Sequence, residues 1–93
     1  MHLGTLVITL HLHDIQSLKD KRQIIKSLVE TTRQKFNISM AEIDDLDNWR
    51  RAQIGIACVA NDKRYVNQVL DKVLDLIESN PSVDVGEVSL ELD

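Results

Sequence analysis

The sequence predicts an α+β fold in which a four-stranded antiparallel sheet carries both helices on one face. Two segments near the chain ends alternate apolar and polar residues, and two longer segments carry apolar stripes at helical spacing. The elements follow the order β-α-β-β-α-β within 93 residues. That order is typical of the ferredoxin-like, or split βαβ, plan with strand order 4-1-3-2. We therefore expect one domain spanning residues 1–93.

The first half of the chain predicts one strand and one long helix. The strand alternates an apolar set with a second set on the other face: Leu6, Ile8, Leu10 and Leu12 against Val7, Thr9, His11 and His13. Ser17 fits a helix N-cap, with Asp20 three residues later as a short capping box. The apolar face of this helix consists of Leu18, Ile25, Val29, Thr32 and Phe36. We expect the helix to run to about Phe36, with Asn37 closing it.

The middle of the chain predicts a hairpin. Asn37–Asp45 is a weaker second strand, and an acidic turn follows at Asp44–Asn48. Gln53–Ala60 is a third strand, rich in β-branched and small residues. Both segments are short enough to pair directly across the turn.

The last third predicts a second helix and a fourth strand. Asn61 is the candidate N-cap of the helix, and Asn80-Pro81 ends it. Its apolar stripe consists of Val66, Val69, Leu70, Val73, Leu74 and Ile77. The strand alternates Val88, Leu90 and Leu92 with Glu87, Ser89 and Glu91. This alternation predicts one face on the core and one face in water.

Charge is unevenly distributed along the chain. The formal net charge of −4 argues against general attraction to nucleic acid, because that attraction grows with the number of phosphates neutralised. Basic residues are nevertheless clustered at Lys19–Lys26, Arg50-Arg51 and Lys63-Arg64. In the predicted topology the first helix begins at the sheet end where strands two and three turn. The first basic cluster is therefore expected beside the acidic turn at Asp44–Asp47.

The cations of the first helix separate by face. One stripe consists of Lys19, Arg22, Lys26 and Arg33. Lys21 borders the apolar face instead, so we expect a structural role in which its ammonium meets a carboxylate such as Glu42 or an acid of the hairpin. Two interpretations of the stripe remain open: a solvated face with weak intramolecular ion pairs, or a surface that binds an anionic partner.

A second basic pair follows the only tryptophan. Arg50 and Arg51 come directly after Trp49, and they extend the anion-binding interpretation to the hairpin. Trp49 either stacks a nucleic-acid base or anchors the packing of the turn. The candidate anion site therefore consists of Lys19, Arg22, Lys26, Arg50 and Arg51, with Trp49 as a candidate stacking residue.

The helix-free face of the sheet is a second candidate surface. We expect it to present Val7, Thr9, His11 and His13 as interface residues. The imidazoles of His11 and His13 do not by themselves make a metal site, so no metal is expected. Strand three is apolar on both sides, which indicates either that a second copy of the chain covers this face or that Gly55 and Ala57 leave little area exposed.

Several function classes are not supported by the residues present. The aromatics that an RNA-recognition module displays on its central strands are absent, since Phe36, Trp49 and Tyr65 lie elsewhere. No nucleophile–base pair or glycine-rich phosphate loop is apparent, so neither an enzyme nor a cofactor is expected. Cys58 lies in an apolar run and is expected to be a small buried hydrophobe. No segment is long and apolar enough to span a bilayer, so we expect a soluble, cytoplasmic protein with no membrane partner.

Several segments together resemble the YlxP-like family of small bacterial proteins. They are the strand ending in His11-Leu12-His13, the helix start at Ser17–Arg22, Met40–Ile43, Asp47–Ala52 and Ile54–Val59. The resemblance implies a ferredoxin-like fold and a bacterial source, but no established activity. Members of the family tend to be encoded beside translation-initiation and ribosome-maturation proteins, which implies a role near the ribosome or its RNA.

The leading hypothesis is a non-enzymatic, self-associating module whose basic residues bind an RNA backbone, such as that of the ribosome, or an acidic protein surface. The alternative is a protein-interaction or oligomerisation module that uses the sheet face and has no nucleic-acid partner. Charge reversal at Arg22 and Lys26 distinguishes the two hypotheses.

Overall fold

The strands and helices occur in the predicted order. The computed structural model describes residues 1–93, with elements β1 (His2–Leu12), α1 (Leu18–Lys35), β2 (Ser39–Asp44), β3 (Arg51–Ala60), α2 (Lys63–Glu78) and β4 (Val83–Leu92). The four strands form one antiparallel sheet in the order β2-β3-β1-β4. This is the predicted 4-1-3-2 order viewed from the other edge, and it confirms the ferredoxin-like fold.

The core lies between the sheet and the two helices. The even-numbered residues of β1 from Leu6 to Leu12 are buried, as the alternation predicts, and Ile54 and Ile56 of β3 are buried with them. The helix α2 contributes Val66, Val69, Leu70, Val73 and Ile77. Cys58 is buried in the same cluster, and desolvation raises the pKa of its thiol. The predicted role of Cys58 as a small apolar core residue is therefore confirmed.

Side-chain caps determine where both helices begin. Ser17 Oγ accepts a hydrogen bond from the backbone N–H of Asp20 at 3.1 Å, which confirms the predicted N-cap. The Asp20 carboxylate reaches back to the backbone N–H of Gln16 at 3.0 Å. The cap of α2 is Asp62 and not Asn61, because the Asp62 carboxylate accepts from the N–H of Arg64 at 2.9 Å. Neither helix combines the length and apolarity needed to cross a membrane.

A bulge in β4 places apolar residues from odd-numbered and even-numbered positions on the same face of the sheet. Ile8 pairs with Val88 and Leu10 pairs with Val85, so two steps along β1 correspond to three along β4. Val85 consequently shares the helix-covered face with Val88. Val88 is still 42% exposed, because β4 is the edge strand and the helices do not reach over it fully.

A second bulge lies in β2. Glu42 pairs with Ile54 and Asp44 with Gln53, so Ile43 is the extra residue on β2. The turn is also shifted from its predicted position, since β3 begins at Arg51 instead of Gln53. Arg51 is therefore a strand residue, paired with His11 of β1.

Candidate functional site

A buried lysine connects α1 to the β2–β3 loop. Lys21 is 0% exposed, and its ammonium donates to the backbone carbonyls of Asp45 at 2.6 Å and Asn48 at 2.5 Å. Oε2 of Glu42 lies 2.7 Å from the same nitrogen. This oxygen is buried and makes no conventional hydrogen bond, so the ammonium is its only polar partner. The predicted structural role of Lys21 is confirmed, although its ammonium is fully buried and does not reach solvent.

The loop that Lys21 holds is a compact turn. Asp45 has a positive φ of 61°, and its carbonyl also accepts a hydrogen bond from the N–H of Asn48. The Asn48 side chain accepts from the N–H of Arg50 at 3.0 Å. The carbonyl of Arg50 then accepts from the N–H of Leu12 at 2.8 Å. These bonds anchor the backbone around Trp49 at both ends of the loop.

The cationic stripe of α1 lies on the flank turned away from α2. Ile24 and Ser27, on the other flank, line a hollow shared with Asn80 and Ser82 after α2. Lys19, Arg22 and Lys26 are exposed, and none lies within 4.0 Å of a carboxylate oxygen. The stripe therefore faces solvent beside the free edge of β2.

The two arginines of the hairpin differ in their partners. Arg51 Nε lies 2.9 Å from the Asp45 carboxylate, so this cation already has an intramolecular partner. Arg50 is exposed and its guanidinium lies 4.8 Å from the centre of the Trp49 ring, a cation–π contact. Trp49 is half-buried, and this contact occupies part of its ring surface.

The acids near the helix start do not neutralise the stripe. Glu42 and Asp45 lie at the predicted end of the sheet, but the first is paired with Lys21 and the second with Arg51. The arrangement leaves Lys19, Arg22, Lys26 and Arg50 as exposed cations without a carboxylate partner. Below, the name "basic edge" refers to Lys19, Arg22, Lys26, Arg50 and Arg51.

His13 lies close to the basic edge, which sequence reasoning did not predict. β1 ends at Leu12, and the His13 ring lies 3.3 Å from the Asp14 carboxylate and 3.5 Å from that of Asp84. His13 and Arg50 line one shallow cleft. The signal available in the sequence was the antiparallel pairing of β1 and β3, which brings the end of one strand to the start of the other.

Two expectations for the sheet face need correction. Thr9 is buried, because Gln53 lies against it and the Thr9 hydroxyl donates to Gln53 Oε1 at 3.2 Å. His13 lies beyond the strand and belongs to the end of the sheet, so it is not a face residue. Val7 and His11 are exposed on this face as predicted. The His11 ring lies over Gly86, where a Cβ atom would come within 2.8 Å of His11 Nε2.

We refer to the helix-free side of the sheet as the open face, and its centre is apolar. Val7 pairs with Gly55, and the displaced Ile43 lies over Gly55, where a Cβ atom would come within 3.0 Å of Ile43 Cγ2. Leu3 pairs with Val59 further along the same face. The exposed apolar residues of the open face are Leu3, Val7, Ile43 and Val59.

Comparison with known sequences identifies relatives without an assigned activity. Residues 3–90 match the family described as "Protein of unknown function (DUF503)". The chain is 36% identical over 73 residues to the "Uncharacterized protein YlxP" of Bacillus subtilis (strain 168). That alignment covers 78% of this chain and 79% of the relative. The residues that predicted a YlxP-like relationship thus led to the correct family.

Two designed proteins share the fold. The de novo designed protein LFR1 1, described as having a ferredoxin fold, superimposes with a TM-score of 0.59 and 10% identity, covering 98% of this chain and 86% of that protein. The de novo designed protein Foldit4 gives a TM-score of 0.56 at 16% identity, covering 98% and 97%. At these identities the likeness concerns the fold alone.

Proposed function

We propose that this chain, which belongs to the DUF503 family of proteins of unknown function, is a non-enzymatic module whose basic edge binds the phosphate backbone of RNA. The proposal includes a location in the bacterial cytoplasm, where ribosomal RNA is an abundant ligand of this kind. One observation carries it. Lys19, Arg22, Lys26 and Arg50 are exposed and lack a carboxylate partner, although the chain as a whole is acidic.

The position of the unpaired cations is energetically unfavourable without a ligand. Lys19 and Arg22 lie in the first turns of α1, where the positive end of the helix dipole disfavours cations. Glu42 and Asp45, two acids of the neighbouring hairpin, are already paired with Lys21 and Arg51. A bound anion would supply the charge that these side chains lack.

The spacing of the stripe favours a polyanion with a regular repeat. Lys19 and Lys26 lie seven residues apart on α1, or about 10 Å along a straight helix axis at about 1.5 Å per residue. Arg22 lies between them, and Arg33 continues the row. Such a linear row of cations fits successive phosphates of one strand better than the irregular acids of a protein surface.

The contact between Arg50 and Trp49 supports backbone binding without base stacking. One part of the indole is covered by the guanidinium at 4.8 Å, so a base must displace Arg50 to stack there. Phosphate binding to Arg50 needs no such displacement. We therefore expect weak sequence preference and strong salt dependence.

The test is binding of the full chain to ribosomal RNA at two salt concentrations. If four cations contact phosphates of single-stranded RNA, log K falls with log salt with a slope of about −3. The charge reversals Arg22→Glu and Lys26→Glu together should lower the affinity at least tenfold. The matched control reverses Lys63 and Arg64, which are also exposed cations at a helix start but lie at the opposite end of the sheet.

Each outcome distinguishes the candidate functions. Absence of binding at the lower salt concentration contradicts the proposal, as does equal loss in the control. Binding of a polyglutamate probe in preference to RNA, abolished by the same reversals, would indicate an acidic protein partner instead. A physiological protein partner whose binding survives reversal of Arg22 and Lys26 would support the alternative module that uses the open face.

A further inference from the structure

We propose that the open face is a dimer interface between two copies of this chain. Three of its apolar side chains are well exposed: Val7 by 39%, Ile43 by 52% and Val59 by 54%. They lie on adjacent strands around Gly55 and Ala57, and the central part of this face carries no formal charge. A contiguous apolar patch on a sheet that the chain's own helices leave uncovered marks an interaction surface.

The size of the open face fits a second domain of the same kind. The strands β1, β2, β3 and β4 have 11, 6, 10 and 10 residues. At about 3.3 Å per residue and about 4.8 Å between strands, they make a face of roughly 600 Å² in projection. The accessible surface of such a rugged face is larger than its projection. A stable protein interface buries about 800 Å² on each partner, so coverage of this face by another sheet reaches the standard size. A short peptide would leave much of it exposed.

The open face is also complementary to itself. Val59 and Ile43, which covers Gly55, project from it, whereas the small residues Ala41 and Ala57 line a shallow groove. A two-fold interface requires that one patch carry both a projection and the groove that receives it. These residues provide both, so the projections of each copy can occupy the groove of the other.

Charge at the rim determines the direction of the two-fold axis. Glu91 pairs with Thr5 on the open face, and Glu87 lines the same hollow as Val7, so the rim along β4 is acidic. An axis perpendicular to the strands would bring β4 of one copy against β4 of the other and oppose these carboxylates. An axis parallel to the strands brings β4 against β2, whose open-face residues Ser39, Ala41 and Ile43 are uncharged and whose one open-face acid, Asp44, lies at the strand end. The parallel axis therefore opposes fewer carboxylates, and it keeps the two sheets aligned, as in common sheet-on-sheet packing.

A parallel axis has a functional consequence. A two-fold rotation about this axis leaves the direction of every strand unchanged. The basic edges of both copies therefore lie at the same end of the dimer. This step rests on the proposed function, because the dimer would offer a phosphate backbone two rows of cations instead of one. Two linked contacts bind more tightly than one, since the second forms at high effective concentration.

The first experiment measures the mass of the full chain in solution by sedimentation equilibrium, without nucleic acid. The native chain should have twice the mass of one chain at micromolar concentration, and Val7→Glu should be monomeric. The matched control is Leu90→Glu, an apolar residue of similar exposure that pairs with Leu6 on the other side of the sheet, and it should remain dimeric. Val59→Glu serves as a second interface variant if circular dichroism shows that Val7→Glu does not fold.

A monomeric native chain overturns the proposal, and so does a dimer that Leu90→Glu dissociates while Val7→Glu and Val59→Glu do not. The second experiment compares RNA binding of the native dimer and the monomeric variant. Loss of at least tenfold in affinity, with a salt slope about half as steep, supports the parallel axis. An unchanged slope overturns the parallel axis but leaves the dimer itself intact. Because mass is measured without RNA, failure of RNA binding does not affect the first result.

Discussion

The ammonium of Lys21 lies 2.7 Å from Oε2 of Glu42, inside a protein whose other cations are on the surface. Two carbonyls of the β2–β3 loop complete its hydrogen bonds. The buried ammonium thus has two hydrogen bonds and one ion-pair contact, which offset the cost of removing its charge from water. This arrangement makes Lys21 the connection between α1 and the loop that carries Trp49, Arg50 and Arg51.

Lys21→Met should lower the free energy of unfolding by roughly 3 kcal/mol. The substitution leaves the buried carboxylate of Glu42 and two carbonyls without their donor, and breaking a buried pair from one side typically costs about 3–5 kcal/mol. Urea denaturation measures the change. The control is Lys19→Met, which removes an exposed cation of the same helix. Its free energy of unfolding should stay within about 0.5 kcal/mol of that of the native chain. If Glu42→Leu added to Lys21→Met restores no stability, the unpaired carboxylate is not the cause of the loss.

The same variant should also change the environment of Trp49. The loop is held by the contacts of Lys21 with the carbonyls of Asp45 and Asn48, so their loss should expose the half-buried indole to water. Because Trp49 is the only tryptophan, its emission reports on this loop alone. We expect a red-shifted emission maximum and stronger quenching by acrylamide in folded Lys21→Met, with no change in Lys19→Met. An unchanged spectrum would mean that the backbone bonds of the loop suffice to hold it.

Two glycines of the sheet should respond differently to the same substitution. A Cβ atom at Gly4 would lie 2.5 Å from Val66 Cγ1 and 2.8 Å from Leu70 Cδ1, both in the core. At Gly55 its nearest neighbour would be Ile43 Cγ2 at 3.0 Å, on an exposed side chain that can move. Gly4→Ala should therefore lower the free energy of unfolding by about 1–3 kcal/mol, and Gly55→Ala should lower it by less than about 1 kcal/mol. Thermal unfolding of the two variants compares them, and equal losses would contradict this account.

The Cys58 thiol should be unreactive in the folded protein. Its titration should lower the free energy of unfolding at alkaline pH. Burial raises the pKa of its thiol in the folded state, whereas the unfolded chain has the ordinary, lower value. Its contribution to stability is therefore full below the unfolded pKa and is lost as the pH rises from that value through the folded pKa. Cys58→Ala should unfold with a weaker dependence on alkaline pH than the native chain. Alkylation by iodoacetamide should be slow in buffer and fast in urea; fast alkylation in buffer would contradict the buried position.

Sequence periodicity predicted most of the fold because it reports burial one element at a time. The even-numbered apolar residues of β1 and the stripe of α2 point to the core as predicted. The Ser17 cap could be predicted because capping is a contact between residues three positions apart. The cap of α2 was misplaced by one residue because Asn61 and Asp62 are both good capping residues, and only the backbone geometry selects between them.

Partners across the chain were predicted only as a small set of candidates. Lys21 borders the apolar face of α1, so its pairing with Glu42 or an acid of the hairpin was expected, and the structure selects Glu42. The pairing of Asp45 with Arg51 could not be expected, because the acidic turn offers several carboxylates and its backbone shape selects among them. The proximity of His13 to Arg50 depends likewise on where β1 ends.

The sequence by itself determined the element order, the core residues and the separation of Lys21 from the cations of the basic edge. These are local properties, since they depend on spacing along one helix or one strand. Only the tertiary structure decided that Ile43 lies over Gly55, that Val85 and Val88 share a face, and that Glu42 and Asp45 of the hairpin are already paired. The physical reason is that bulges and ion pairs depend on the register between strands, and register results from contacts among residues far apart in the chain.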